Sequence, residues 1–180
     1  LSGFDIEKYK NIKPPEDNSL TTLKELKEIN GMRKDPSFVK DKDNQVSAFK
    51  KITEAKGLPF PKQLVKALIS ESAPKILKLK NHFKRPRPKH LAGGFGMKLD
   101  DIEMESMKTP SYPSGHSVQG VLVGKALGRL YPQHKAEFEK EGKDISMSRR
   151  VGRAHFKSDS DLGEKIGNDM FNYVKGKLNG

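Results

Sequence analysis

Gly120, Gly124 and Gly128 recur every fourth residue inside a run that also carries Val118, Val121, Leu122, Val123 and Leu127. Positions four apart lie on one face of a helix. Glycine in a helix interior costs about 1 kcal/mol relative to alanine. A stripe of three is therefore expected where a second helix comes close enough to offset that cost. Lys125 and Arg129 interrupt the run, which weakens a membrane-spanning reading of it.

The rest of the chain has no alternating strand pattern longer than a few residues, so the pattern predicts an all-α fold, a helical bundle with its site between central helices. Thr22 and Glu25 have capping-box spacing before Leu23, Leu26 and Ile29, and Gly31 ends that segment. Asp35-Pro36 has the look of an N-cap and first turn, followed by a stripe of Val46, Phe49 and Ile52 that ends near Gly57. Pro61 and Pro74 are each expected to open a helix, the second halted at Arg85-Pro86. Pro132 opens a segment rich in Glu and Lys. Leu162, Ile166, Met170, Tyr173, Val174 and Leu178 mark a last amphipathic helix, with Asp159 or Ser160 near its start. The 180 residues suit one domain, residues 1–180, with a motif-bearing core over about 60–175 and an N-terminal helical segment over about 1–58.

Hydrophobic residues make up 33% of the chain and charged residues 32%, and no run approaches the roughly 18 apolar residues of a membrane span. The expectation is a soluble protein. Zero cysteines exclude disulfides and thiolate metal sites. The compartment stays open: periplasmic or secreted if a signal peptide has been removed, otherwise cytoplasmic. Lys and Arg outnumber acids 35 to 23, for a net charge of +12, which draws anions. The densest basic patch runs from Lys78 to Lys89. Four tyrosines and no tryptophan leave little for base stacking, which disfavours nucleic acid as partner.

Three runs carry chemistry. Six residues separate Lys78 from Arg85-Pro86; Pro113-Ser114-Gly115-His116 follows; then Ser148-Arg149 precedes His155 by five residues, and Asp159 stands four beyond His155. Lys78, Arg85 and Arg149 are cations for phosphate oxygens, and arginine's planar fork suits two of them at once. Lys78 and Arg85, close to two helical turns apart, are expected on one face. Ser114 and Gly115 offer a hydroxyl and backbone N–H groups at a helix start, where anions bind. His116 would sit beside that phosphate. A carboxylate four residues from His155 fixes one ring nitrogen and leaves the other available for attack.

In their order and spacing these runs resemble the signature of the superfamily that joins type-2 phosphatidic acid phosphatases, bacterial class A non-specific acid phosphatases and vanadium haloperoxidases. Ser111-Tyr112-Pro113-Ser114-Gly115-His116 and His155-Phe156-Lys157-Ser158-Asp159-Ser160-Asp161 are most similar to the class A acid phosphatases. The resemblance implies a metal-independent phosphomonoesterase with His155 as nucleophile forming a phosphohistidine, Asp159 as its orienter and His116 as general acid. It implies Lys78, Arg85, Arg149, Ser114 and Gly115 as phosphate ligands. No cofactor is implied, although vanadate would bind as a phosphate mimic. The partner implied is a small phosphorylated substrate, and homo-oligomers are common in the group.

Two other readings stand beside it: a vanadate-dependent haloperoxidase, and a non-catalytic binding module for phosphorylated or nucleic-acid ligands. The segment 87–110, with Gly93, Gly94 and Gly96, is expected to form a lid or rim over the site. His82 and His90 are read as non-catalytic.

Overall fold

A computed structural model describes residues 1–178, the side chains of 105 and 106 apart. Eight α-helices follow one another: α1 (Leu20–Asn30), α2 (Pro36–Asp41), α3 (Gln45–Ala55), α4 (Lys62–Phe83), α5 (Pro88–Ala92), α6 (Gly115–Leu130), α7 (Lys135–Val151) and α8 (Lys157–Val174). Short 3-10 turns fill several of the connections, and the described residues contain no strand. None of their helices is long and apolar enough to cross a membrane.

Helix α6 is the hub, buried without a break from Ser117 to Gly124. The glycine stripe explains how. A Cβ on Gly124 would stand 2.6 Å from the Phe138 carbonyl oxygen, and one on Gly120 would stand 2.8 Å from the Gly142 carbonyl oxygen, both on α7. The α6 and α7 backbones therefore touch where side chains would otherwise hold them apart. Two further glycines do the same on α8: a Cβ at Gly163 would meet the Ser114 carbonyl oxygen at 2.6 Å, and Gly167 faces the Val118 carbonyl. Helix α4 closes a third side, where Gln119 donates to the Ile69 carbonyl and the Ser72 hydroxyl.

Two helix boundaries differ from the sequence pattern. Pro74 does not open a helix but lies within the 22-residue α4. The carbonyl that loses its N–H partner belongs to Ser70, and Ser70 and Pro74 are both on the exposed face, where water satisfies it. Helix α1 is capped by Ser19, whose Oγ accepts from the Thr22 N–H, rather than by Thr22 itself. Glu25 then has other work, described below.

The 87–110 segment is packed rather than loose. Ala92 and Leu99 join Leu26, Ile29 and Phe156 in one apolar cluster, while Met104 and Met107 join Val39 and Ala154 in another. It thus forms a wall on both sides of His155.

Gly124→Ala should destabilise the protein by about 1–3 kcal/mol or more, because the new methyl meets backbone that cannot yield. Gly93→Ala, with nothing within 4 Å of its Cβ position, should shift stability by less than about 0.5 kcal/mol. Urea unfolding of the two variants checks the contrast.

Candidate active site

The chain leaves α7 at Gly152 and enters α8 at Lys157, and the tight connection between them sets His155 among buried polar side chains. Asp159 is in the first turn of α8 and is wholly buried. Its Oδ2 accepts from the Phe156 N–H at 2.9 Å, from His155 Nδ1 at 3.0 Å, and from the Ser111 hydroxyl. Its Oδ1 accepts from Arg85 Nη1 at 2.7 Å.

The tautomer of His155 follows from its partners. Arg87 Nη1 lies 2.9 Å from His155 Nε2. Arginine has no acceptor, so Nε2 must offer its lone pair and Nδ1 must carry the proton given to Asp159. The ring nitrogen turned toward Arg87 is therefore the nucleophilic one. Burial first, then the charges of Arg87, Lys80 and Arg149, hold the His155 pKa well below its usual value.

Around His155 stand three cations. Arg149 is buried at the end of α7. Arg87 also donates to the Thr109 and Ala154 carbonyls, at 2.7 and 3.0 Å. Lys80 reaches from α4 to the Pro110 carbonyl at 2.7 Å. Burial and then Arg87 push the Lys80 pKa down to about 7, and Asp159 acts against that shift. The Arg87 pKa falls to about 10 for the same first reason and the residue keeps its charge at neutral pH.

Two of these cations differ from those the motif spacing first suggests. Lys78 is exposed, on a hollow shared with Leu1, Phe4 and Glu71, and does not join the others. Arg85 is fully buried but turns behind the histidine, bonded to Asp159 and to the Ser158 hydroxyl and lying 4.0 Å from the Phe156 ring. It holds the carboxylate. The spacing recurs two residues later: six residues also separate Lys80 from Arg87-Pro88. That second frame is the one brought to His155, and it was legible as a repeat of the first. Helix α4 ends at Phe83 and Lys84 turns left-handed at φ 52°, so Arg85 and Arg87 leave in new directions. Lys80, Arg85 and Arg87 are all buried, so half the densest basic patch points inward.

Ser114 caps α6, its Oγ accepting from the Ser117 N–H at 3.2 Å, while its own N–H donates to the Asp159 carbonyl at 3.0 Å. The first-turn N–H groups of α6 thus open beside α8. A Cβ at Gly115 would make only ordinary contacts, 3.6 Å from Ile76 and 4.0 Å from Lys80 Cε. His116 is next, its Nε2 donating to the Asp43 carbonyl at 2.8 Å. Burial and the nearby Arg149 push its pKa down to about 4.

Behind this layer, Glu25 of α1 accepts from the Ser158 N–H at 2.7 Å and from the Ser158 hydroxyl, which itself receives the Arg85 bond. Glu25 carried no separable signal in the sequence, because a glutamate in a helix is commonplace, while Ser111 heads the Ser111–His116 motif, whose pattern gave it no role of its own.

No protein-family model matches the chain. It is similar to the non-specific acid phosphatases of Salmonella typhimurium and Salmonella typhi, 33% and 32% identical over 88 residues, which is 49% of this chain and 35% of each relative. It is also similar to an acid phosphatase of Zymomonas mobilis, 32% identical over 107 residues, 59% of this chain and 40% of the relative. The chain matches little more than a third of the length of these curated relatives.

The two lysines separate the frames. Lys80→Ala should weaken binding of inorganic phosphate about tenfold or more, the worth of one charged hydrogen bond, whereas Lys78→Ala should leave it within about twofold. Calorimetric titration measures both. Arg85→Met should cost about 3–5 kcal/mol in urea unfolding, since it strands the buried Asp159 carboxylate without its ion pair.

Proposed function

We propose that the protein is a phosphomonoesterase of the acid phosphatase type, working through a phosphohistidine. The observation that carries this reading is His155 itself, with Nδ1 on a buried carboxylate and Nε2 bare of protons inside a cluster of Lys80, Arg87 and Arg149. The similarity to curated acid phosphatases supports the same chemistry.

A phosphate monoester enters with its oxygens toward the three cations and the first turn of α6. Arg87 exchanges its bond to His155 Nε2 for a phosphate oxygen and so releases the lone pair. Nε2 attacks phosphorus, the phosphorus–ester oxygen bond breaks, and His116 gives its proton to the departing alkoxide. Asp159 stabilises the positive charge that builds on the ring. Neutral His116 then takes a proton from water, the resulting hydroxide attacks phosphorus, and the phosphorus–nitrogen bond breaks. Phosphate leaves, and both histidines return to their starting states. The positive charge comes from side chains throughout.

The two lowered histidine pKa values give the pH dependence its sign. In the ligand-free protein His116 must be protonated to act, and its protonated fraction grows as pH falls toward about 4. His155 must be neutral, and its pKa lies well below the ordinary value. Hence kcat/KM for p-nitrophenyl phosphate should rise as pH falls from 8 to 5. Turnover should survive a chelator and drop at least about a thousandfold in His155→Ala. A wild-type protein without turnover at any pH from 4 to 8 would overturn the reading.

A further inference from the structure

The Lys42–Asn44 turn between α2 and α3 touches two members of the site at once, and the mechanism above uses neither contact. The Asp43 carboxylate accepts from Arg149 Nη1 at 2.9 Å. Its backbone carbonyl accepts from His116 Nε2 at 2.8 Å, with Oδ1 of the same residue 3.8 Å from that nitrogen. The other partners of Arg149 are uncharged: the Val39 carbonyl, the Ser148 hydroxyl and the Met104 sulfur. Lys80 and Arg87 rest on carbonyl oxygens, a threonine hydroxyl and His155. Asp43 thus sets a carboxylate against the cation cluster at Arg149, as Asp159 does against His155.

The two carboxylates differ in a way that decides their roles. Asp159 has no exposed side-chain surface and four donors, while the Asp43 side chain is 47% exposed and sits in a turn. Water can take over its solvation when it leaves Arg149, so it yields where Asp159 cannot. Lys42, its neighbour, is engaged by Glu141 at 2.7 Å and does not neutralise it. Arg149 Nη1 gives one N–H to Asp43 Oδ1 and one to the Met104 sulfur, so a phosphoryl oxygen that takes the first competes with the carboxylate.

We infer that Asp43 is an internal competitor for the phosphate: its carboxylate occupies Arg149 in the empty site, and the phosphoryl group must displace it. The residue thereby sets affinity for phosphate. The inference rests on the phosphatase reading for the identity of the anion. Its sign distinguishes it from an ordinary support role. A carboxylate that merely orients Arg149 would strengthen phosphate binding, so its loss would weaken binding; a competitor's loss strengthens it.

The test is calorimetric titration of inorganic phosphate and orthovanadate into wild type, Asp43→Asn and Asp43→Ser, with thermal unfolding to verify that each variant is folded. Both variants should bind about fivefold tighter or better than wild type, since each removes one competing charge. Unchanged or weaker binding in folded variants overturns the competitor role and leaves the phosphatase reading standing. If wild type binds neither anion but the variants do, the competitor role is supported in its strongest form. If no protein binds either anion, the phosphatase reading fails and this inference falls with it. Should neither variant fold, the turn is structural and the competitor role is likewise overturned.

Discussion

A carboxylate with no access to water is the constraint around which the molecule is arranged. Asp159 must be given donors by the protein, and they come from three places: the segment after α4 supplies Arg85, the approach to α6 supplies Ser111, and the α7–α8 connection supplies both His155 and the Phe156 N–H. Burial raises the pKa of such a group, and Arg85, Ser111 and the Phe156 N–H oppose that by favouring the charged form. The chain segments that meet here are far apart in sequence. The carboxylate's need for partners makes their convergence obligatory, and the position of His155 is the result.

Close helix packing gives that convergence its precision. The glycines of α6 and α8 let backbone approach backbone around Ser114 and Val118, so the N-terminus of α6 is carried against the first turn of α8. A bond from the Ser114 N–H to the Asp159 carbonyl joins the two ends. The anion-attracting end of one helix and the histidine ahead of the other are therefore held by main chain, which is stiffer than side-chain contact.

Like charges would push such a site apart. Lys80, Arg87 and Arg149 crowd a neutral imidazole, and their repulsion is met by carbonyl oxygens from Thr109, Pro110, Ala154 and Val39 and by the Asp43 carboxylate. The wall formed by residues 87–110 thus does more than cover apolar surface. Its last residues supply acceptors that steady the cations without neutralising them, which keeps the charge available to an anion.

The sequence by itself determined the all-α class, the close contact along Gly120, Gly124 and Gly128, and the pairing of His155 with Asp159, because each is written in spacing shorter than one helix. It also marked Ser114, Gly115 and His116 at a helix start. It left the cations degenerate. Lys78…Arg85-Pro86 and Lys80…Arg87-Pro88 satisfy one spacing equally. Two residues turn a helix by about 200°, so the two lysines point to nearly opposite sides, and only the packing of α4 on α6 selects Lys80. Arg85 and Arg87 are likewise indistinguishable as residues, and what separates them is that one lies behind Asp159 and the other in front of His155. Glu25 and Asp43 enter the site from distant parts of the chain, where local pattern carries no information. The tertiary structure decided their places, since contact between distant segments depends on which faces are buried together.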